Sequence, residues 1–377
     1  MKIVADRNIP LLPESFGRRG DVRAVDGRAL RRADLADAQV LLVRSVTRVD
    51  ARLLQGTPVR FVASATIGTD HLDTAWLDAE GIRWAHAPGC NADAAAQYTL
   101  GMMLLACRRL RRRLEDQRVG IIGRGNVGSR LQKLLQALGV PTLACDPPLA
   151  AAGEPGLAPL AEALACPVVT LHVPLTSTGR WPTAGMIDAS AVDALPRGAL
   201  LVNAARGGVV SEPVLRQALD CGRLHAALDV WPREPAIDPD LLRAVTVASP
   251  HVAGYSVEGK RRGTRMIYEA FLSWLGERPD PSEVEALEHL GIRERIDLDP
   301  LVEAPVERAV LEACHVPRDD RGLRHAESLD AATFDALRRA HGPRHEFARI
   351  AVEGAGPAAP LLAALGFATR SAKASQA

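Results

Sequence analysis

The stretch VGIIGRGNVG, residues 119–128, constrains the fold of this 377-residue chain more than any other. It joins an apolar, strand-like run to a segment with leucines at helical spacing, and its glycines at 123, 125 and 128 form a G-x-G-x-x-G pattern. A loop of this kind lets a pyrophosphate approach the backbone at the N-terminus of a helix. The stretch therefore predicts a βαβ unit that binds a dinucleotide.

The next apolar run, PTLACD, ends in Asp146, eighteen residues after Gly128. A carboxylate at that position accepts hydrogen bonds from the adenosine ribose and repels the extra phosphate of NADP, so we predict NAD as the cofactor. Arg124, a charged residue within the loop, is a candidate for an additional contact with a cofactor phosphate. The structural alternative is a glycine-rich turn followed by a solvated aspartate. The order of strand, loop, helix, strand and acid favours the cofactor site.

Short apolar runs alternate with helix-length segments on both sides of the glycine loop. These runs are KIVAD, VLLVRS, RFVASAT and IRWAHAPG before the loop, and PTLACDPP, PVVTLHVP, ALLVNAARGG, LHAALDVW and VTVASPH after it. The rhythm is typical of α/β proteins and predicts two doubly wound, parallel-sheet (Rossmann-like) domains. A helix is expected from residue 92 to about residue 113. Beyond about residue 279 the pattern changes to a small α+β domain, and the last seven residues have the composition of a disordered tail.

The overall charge gives no reason to expect a nucleic-acid or membrane partner, because 46 basic side chains face 45 acidic ones. The longest apolar run, residues 98–107, is too short to span a bilayer. Six cysteines are widely spaced and form no C-x-x-C pair. We therefore expect reduced thiols in a cytoplasmic protein, with no metal site.

Polar residues follow three successive strand-like runs after the glycine loop: Arg206 in LVNAARGG, Glu234 in ALDVWPREP and His251 in SPHVAGYS. The carboxyl ends of parallel strands meet at one edge of a sheet, so these side chains can converge. Each has an ordinary structural interpretation when taken alone. Together, next to a dinucleotide site, they predict that Arg206 binds a substrate carboxylate, His251 accepts a hydroxyl proton and Glu234 fixes the imidazole tautomer. Asp229 is expected to face the nicotinamide.

In these motifs, with LHVPLT, the chain resembles the D-isomer-specific 2-hydroxyacid dehydrogenase family over about residues 40–285. The resemblance implies catalytic roles for Arg206, Glu234 and His251, with the active site in a cleft between two domains. It also implies a substrate-binding domain at residues 1–95 plus 257–285, an NAD-binding domain at 96–256 and a C-terminal dimerisation domain at 286–377, hence a homodimer.

Further stretches, including LLVRSVTRV, ASATIGTDHLD, APGCNA, CDPP, AGYSVEGKRRGT, PRDDRGLR and TFDALRR, are similar to a branch of the family whose substrate is a phosphorylated four-carbon 2-hydroxy acid. This narrower resemblance implies substrate contacts from Ser45, Thr66 and Tyr255. With the glycine fingerprint, it gives an NAD-binding set of Gly123, Gly125, Asn126, Val127, Gly128, Asp146, Asp229 and Gly254. Arg44 and Lys260 are candidates for the substrate phosphate. A phosphoglycerate- or hydroxypyruvate-type dehydrogenase and an NAD-sensing binding protein remain alternatives.

Overall fold

The computed structural model describes residues 1–288, 290–299, 301 and 303–369 of the chain. The tail predicted to be disordered, residues 371–377, lies outside the described residues. Two compact units emerge: Met1–Asn91 with Ser256–Gly291, and Ala92–Tyr255 with Ile292–Ala377. The predicted division into three functional domains stays a prediction.

The first unit is built on a five-stranded parallel sheet in the order β2-β1-β3-β4-β5. Its elements up to residue 91 are β1 (Lys2–Asp6), β2 (Asp21–Val25), β3 (Val40–Val43), α1 (Ala51–Leu54), β4 (Phe61–Ser64), α2 (Thr74–Ala79) and β5 (Arg83–His86). The central strands β3 and β4 are wholly buried, which explains their continuous apolar sequences. The sequence patterns did not predict β2, because this edge strand is half polar and largely exposed.

The second unit opens with α3 (Ala92–Arg109), a helix buried along most of its length. It ends earlier than the predicted residue 113. Arg111 adopts a left-handed backbone conformation with φ 56°, and the amide of Arg112 donates to the carbonyl of Cys107 at 2.9 Å. This closing turn satisfies a carbonyl at the helix end and stops the helix.

Strands and helices alternate after α3. The elements are β6 (Val119–Ile122), α4 (Asn126–Ala137), β7 (Thr142–Cys145), α5 (Pro147–Ala151), α6 (Leu160–Leu164), β8 (Val168–Leu171), α7 (Ala189–Ala194), β9 (Ala199–Asn203), α8 (Glu212–Asp220), β10 (Leu224–Leu228), α9 (Pro239–Ala244) and β11 (Val247–Ala248). They form a parallel six-stranded sheet in the order β11-β10-β9-β8-β6-β7. The chain leaves β6 toward β7 on one side and then returns to β8 on the other. Parallel sheets bind ligands at such a switch point, beyond the carboxyl ends of the strands.

The chain then returns to the first unit through α10 (Val257–Trp274) and α11 (Pro281–Glu288), with α10 packed on β4 and β5. Its last described part contributes β12 (Glu294–Asp297), α12 (Pro305–Cys314), α13 (Val316–Arg324), α14 (Ala331–Ala340), β13 (Ile350–Glu353), α15 (Ala359–Ala364) and β14 (Ala368–Thr369). The three strands form a parallel sheet in the order β12-β13-β14. Because α12 and α13 pack on α3, this segment shares a hydrophobic core with the six-stranded sheet. No helix in the described ranges has the length and apolar character needed to cross a membrane.

Candidate active site

The glycine loop between β6 and α4 is shaped by two glycines and left open by a third. A Cβ atom added to Gly123, whose φ is 92°, would lie 2.6 Å from the carbonyl oxygen of His172. One added to Gly128 would lie 1.9 Å from the carbonyl oxygen of Gly123. A Cβ on Gly125, at the N-terminus of α4, would have no atom within 4 Å. Side chains at positions 123 and 128 would therefore disrupt the loop itself, whereas position 125 faces space that a phosphate can occupy.

Asp146 lies at the end of β7 and is held by two backbone amides. It caps α5 by accepting from the amide of Leu149 at 3.1 Å, and its other oxygen accepts from the amide of Arg124 at 2.8 Å. The Arg124 guanidinium turns away to Glu154 at 2.7 Å and to the carbonyl of Pro155 at 3.1 Å. The loop thus fixes the carboxylate predicted to meet the ribose. Arg124, which the sequence suggested as an additional phosphate contact, is already paired with the carboxylate of Glu154.

His251 and Glu234 form a close pair, as the sequence predicted they could. His251 Nδ1 lies 2.6 Å from Glu234 Oε2, and Glu234 Oε1 accepts from the amide of Trp231 at 2.8 Å. Burial raises the pKa of Glu234, but the charge of His251 and the hydrogen bonds from His251 and Trp231 outweigh it, so the pKa is lowered. An ionised Glu234 accepts the Nδ1 proton. In the neutral form of the imidazole, this bond leaves Nε2 as the proton acceptor.

Asp229 anchors the loop that carries His251. Its carboxylate is 1 % exposed and accepts three hydrogen bonds, from the Ser249 hydroxyl at 2.7 Å and from the amides of Val252 and Ala253 at 2.8 and 3.0 Å. The amide of His251 donates to the backbone carbonyl of Asp229 at 2.8 Å. These bonds hold His251 in a left-handed conformation with φ 56°. The sequence did not reveal this anchoring role, and the cofactor contact expected of Asp229 stays a prediction.

Arg206 begins the loop after β9, next to the loop that leads to Glu234. Asn203 shapes the turn, donating from its side-chain amide to the carbonyl of Arg206 at 2.9 Å and accepting from the amide of Ala205 at 3.0 Å. A Cβ on Gly207 would lie 1.9 Å from the carbonyl oxygen of Trp231, so the two loops pack backbone to backbone. The structure therefore places Arg206, Glu234 and His251 on the loops after three adjacent strands, β9, β10 and β11.

Arg344, from the last part of the chain, braces the far end of the His251 loop. Its side chain is among the largest that are fully buried. It donates from Nε to the carbonyl of Tyr255 at 2.9 Å and from Nη2 to the carbonyls of Ala253 and Ala94 at 2.7 and 3.1 Å. A guanidinium suits this task because its planar fork serves several acceptors at once.

Asp320 braces the near end of the same loop. Its carboxylate, 1 % exposed, accepts from the amide of Ala248 at 2.8 Å. It also pairs with Arg109 at 2.6 Å and with Arg324 at 3.0 Å, and these arginines donate to backbone carbonyls that precede the loop. Sequence reasoning missed both braces. Asp320 lies within the PRDDRGLR motif, but nothing in the local sequence indicates that its hydrogen-bond partner, Ala248, lies about 70 positions earlier in the chain.

The predicted substrate contacts of the first unit follow β3 and β4. Ser45 is exposed, and the hydroxyl of Thr66 lies 2.8 Å from that of Ser64, which in turn lies 2.8 Å from His71 Nε2. Arg44 donates to the buried carboxylate of Asp6 at 3.1 Å. These positions present hydroxyl and guanidinium groups at strand ends, where an oxyanion can be bound. Tyr255 belongs to the second unit.

A parallel sheet with a glycine loop at its switch point, together with an acid-paired histidine at the strand ends, defines a nicotinamide-dependent dehydrogenase. The family model described as "D-isomer specific 2-hydroxyacid dehydrogenase, NAD binding domain" matches residues 95–253, which confirms the predicted cofactor.

Relatives match nearly the whole chain. The chain is 45% identical over 374 residues to erythronate-4-phosphate dehydrogenase of Marinobacter nauticus, covering 94% of each protein. It is 44% identical over 380 residues to that of Yersinia pestis, covering 98% of this chain and 100% of the relative. The chain therefore belongs to the erythronate-4-phosphate dehydrogenases, within the D-isomer-specific 2-hydroxyacid dehydrogenase family.

Solved structures support the fold. The TT0316 protein of Thermus thermophilus matches with a TM-score of 0.65 and 26% identity, covering 74% of this chain and 98% of its own. D-lactate dehydrogenase of Aquifex aeolicus, solved with NAD and lactic acid, matches with a TM-score of 0.63 and 22% identity, covering 73% and 96%. The predicted α/β class of Rossmann-like domains is confirmed.

Proposed function

We propose that this protein oxidises 4-phospho-D-erythronate to (R)-3-hydroxy-2-oxo-4-phosphooxybutanoate with NAD, a step in the synthesis of pyridoxal 5′-phosphate. The observation that carries the chemistry is the 2.6 Å pair of His251 and Glu234 at the carboxyl edge of the NAD-binding sheet. The names of the full-length relatives support the choice of substrate.

In this proposal His251 is the general base. Its Nε2 takes the proton of the C2 hydroxyl while the C2 hydride leaves, and bound NAD supplies the hydride acceptor. Glu234 stabilises the imidazolium that forms. Arg206 holds the substrate carboxylate through two parallel hydrogen bonds, which orients C2. In the reverse reaction His251 returns the proton.

The open space at Gly125 fits the pyrophosphate of NAD, and the fixed carboxylate of Asp146 fits its ribose. We propose that Gly123, Asn126, Val127, Gly128, Asp229 and Gly254 complete the NAD site, and that Ser45, Thr66 and Tyr255 contact the substrate.

We also propose a cytoplasmic homodimer formed through residues 286–377. All six cysteines are free thiols, which is the state that a reducing compartment maintains. Ile292 and Leu301, 52% and 89% exposed, are two apolar side chains of this segment that a dimer interface would cover. Sedimentation equilibrium tests the dimer, and a monomer at micromolar concentration would contradict it.

The deciding experiment compares NADH formation from 4-phosphoerythronate, 3-phosphoglycerate and glycerate. A strong preference for the four-carbon phosphate supports the proposal. Turnover of only 3-phosphoglycerate or glycerate would be consistent with His251 as the general base but would contradict 4-phosphoerythronate as the substrate. Tight NAD binding without any turnover would favour a binding protein that senses NAD.

A further inference from the structure

Arg338, on α14, places a largely buried guanidinium beside a predicted substrate contact. Its central carbon lies 5.3 Å from the centroid of the Tyr255 ring and 5.8 Å from that of Phe334. The side chain is 16% exposed. A cation over an aromatic face is stabilised when it is shielded from water, so this guanidinium is held over the Tyr255 ring.

The hydrogen-bonding capacity of Arg338 is largely unused within the part of the chain that the structure describes. Its closest acidic partner, Asp335, lies 3.8 Å away, beyond hydrogen-bonding distance, and Nε is buried without a hydrogen-bond partner. Arg344, by contrast, uses Nε and Nη2 on three carbonyls. Withdrawing guanidinium donors from water without a protein acceptor costs stability, which is offset when an anion binds them.

The position of Arg338 also ties it to the catalytic pair. Burial is the largest influence on the pKa of Glu234 and raises it, and the positive charge of Arg338 is among those that lower it. Arg338 therefore acts electrostatically on the carboxylate that orients His251, while its guanidinium contacts Tyr255. It supplies a second cation to the site, in addition to Arg206.

A 2-hydroxy acid with a phosphate at its far end carries two anionic groups. Arg206, placed beside the Glu234 loop, suits the carboxylate next to the reacting carbon. We propose that Arg338 binds the substrate phosphate beside Tyr255 and thereby selects phosphorylated substrates. This assignment rests on the proposed function. It also gives the C-terminal segment a part in recognising the substrate.

The test compares R338Q with wild type on 4-phosphoerythronate and on erythronate, which lacks the phosphate. Loss of a charge-assisted contact should lower kcat/KM for the phosphorylated substrate on the order of 10- to 100-fold and lower that for erythronate far less, because erythronate loses only the influence of Arg338 on Glu234. R338K keeps the positive charge but not the planar guanidinium, so its kcat/KM for the phosphorylated substrate should fall less than that of R338Q. R339Q removes an exposed arginine next in sequence on the same helix and should match wild type. Equal losses for both substrates in R338Q would overturn the proposal.

Inorganic phosphate provides a second readout that does not depend on the identity of the substrate. It should inhibit wild type and R339Q competitively, and R338Q on the order of tenfold more weakly. Inhibition of R338Q as strong as that of wild type would overturn the proposal. Should R338Q fail to fold, an unchanged phosphate preference in R338M, which removes the charge but keeps an unbranched side chain beside Tyr255, would have the same meaning. If wild type does not turn over 4-phosphoerythronate, the proposed function fails on its own, and phosphate inhibition with whichever 2-hydroxy acid is oxidised still decides the role of Arg338.

Discussion

The glycine loop and the His251 loop lie at the same edge of one sheet, yet they are held in opposite ways. The glycine loop is fixed by its own backbone, where Gly128 packs against Gly123, and by the neighbouring strand end at Asp146. The His251 loop is fixed by side chains, two of which, Asp320 and Arg344, come from the last part of the chain. The cofactor loop is thus held by contacts within the six-stranded sheet, whereas the catalytic loop depends on side chains from the last part of the chain. Changes in the two loops should consequently affect different measurements.

The largest effect is expected for a variant of His251, which should lower kcat without changing the affinity for NAD. His251→Asn removes the proton acceptor but leaves the glycine loop intact, so kcat should fall roughly 10²- to 10⁴-fold while the dissociation constant of NAD stays the same. Steady-state kinetics and NAD titration by fluorescence measure both. A variant with wild-type kcat would remove His251 from the role of base.

Two glycines of one loop should respond in contrasting ways. Gly128→Ala forces a Cβ to within 1.9 Å of a carbonyl oxygen, so the loop must shift, which should cost about 1–3 kcal/mol of unfolding free energy and weaken NAD binding at least roughly tenfold. Gly125→Ala meets no protein atom within 4 Å, and should weaken NAD binding while leaving stability unchanged. Urea denaturation and NAD titration separate the two. Equal stability losses in both variants would refute the distinction.

Arg344→Met tests the long-range brace. The carbonyls of Ala253 and Tyr255 would lose buried donors, costing about 3 kcal/mol of unfolding free energy and lowering kcat on the order of tenfold. The Kd of NAD should change less than kcat does, because Arg344 adjoins only Gly254 among the proposed NAD contacts and the glycine loop makes no use of it. Exposed Arg339→Met is the matched control. Loss of NAD affinity equal to the loss of kcat would show that the two loops are not independent.

The smallest effect is a pH dependence carried by Glu234. Its folded-state pKa is below the ordinary value of 4.5, so the ionised form stabilises the native state above about that pH. This contribution should disappear as pH falls through the lowered pKa. The difference in unfolding free energy between wild type and Glu234→Gln should thus be larger at pH 7 than at acid pH. A difference independent of pH would show that the carboxylate charge adds nothing to stability.

The sequence predicted the locally determined parts of the molecule well. Glycine spacing, an apolar strand and an acid at the next strand end are neighbours along the chain, so their pattern indicates the cofactor site directly. The pair of Glu234 and His251 could be predicted because both follow strands of one parallel sheet, whose carboxyl ends must meet.

The remainder depends on contacts that no local pattern encodes. The pairing of Arg124 with Glu154 turns a candidate phosphate ligand into half of an ion pair. The polar edge strand β2 lacks the apolar run by which strands are recognised. Arg344, Asp320 and Arg338 lie in helical or irregular segments whose charge pattern resembles that of a solvated surface, and only the tertiary fold reveals which of them are buried.

The Arg344 brace also has a consequence for how the enzyme is made. Arg344 follows Ala253 by 91 residues, and at roughly 5–20 residues per second the ribosome adds it about 5 to 20 s later. Throughout that interval all six strands of the NAD-binding sheet have been synthesised, but the histidine loop lacks the Arg344 donor for its carbonyls. A nascent chain should therefore acquire turnover only near the completion of translation, when Arg344 can reach these carbonyls.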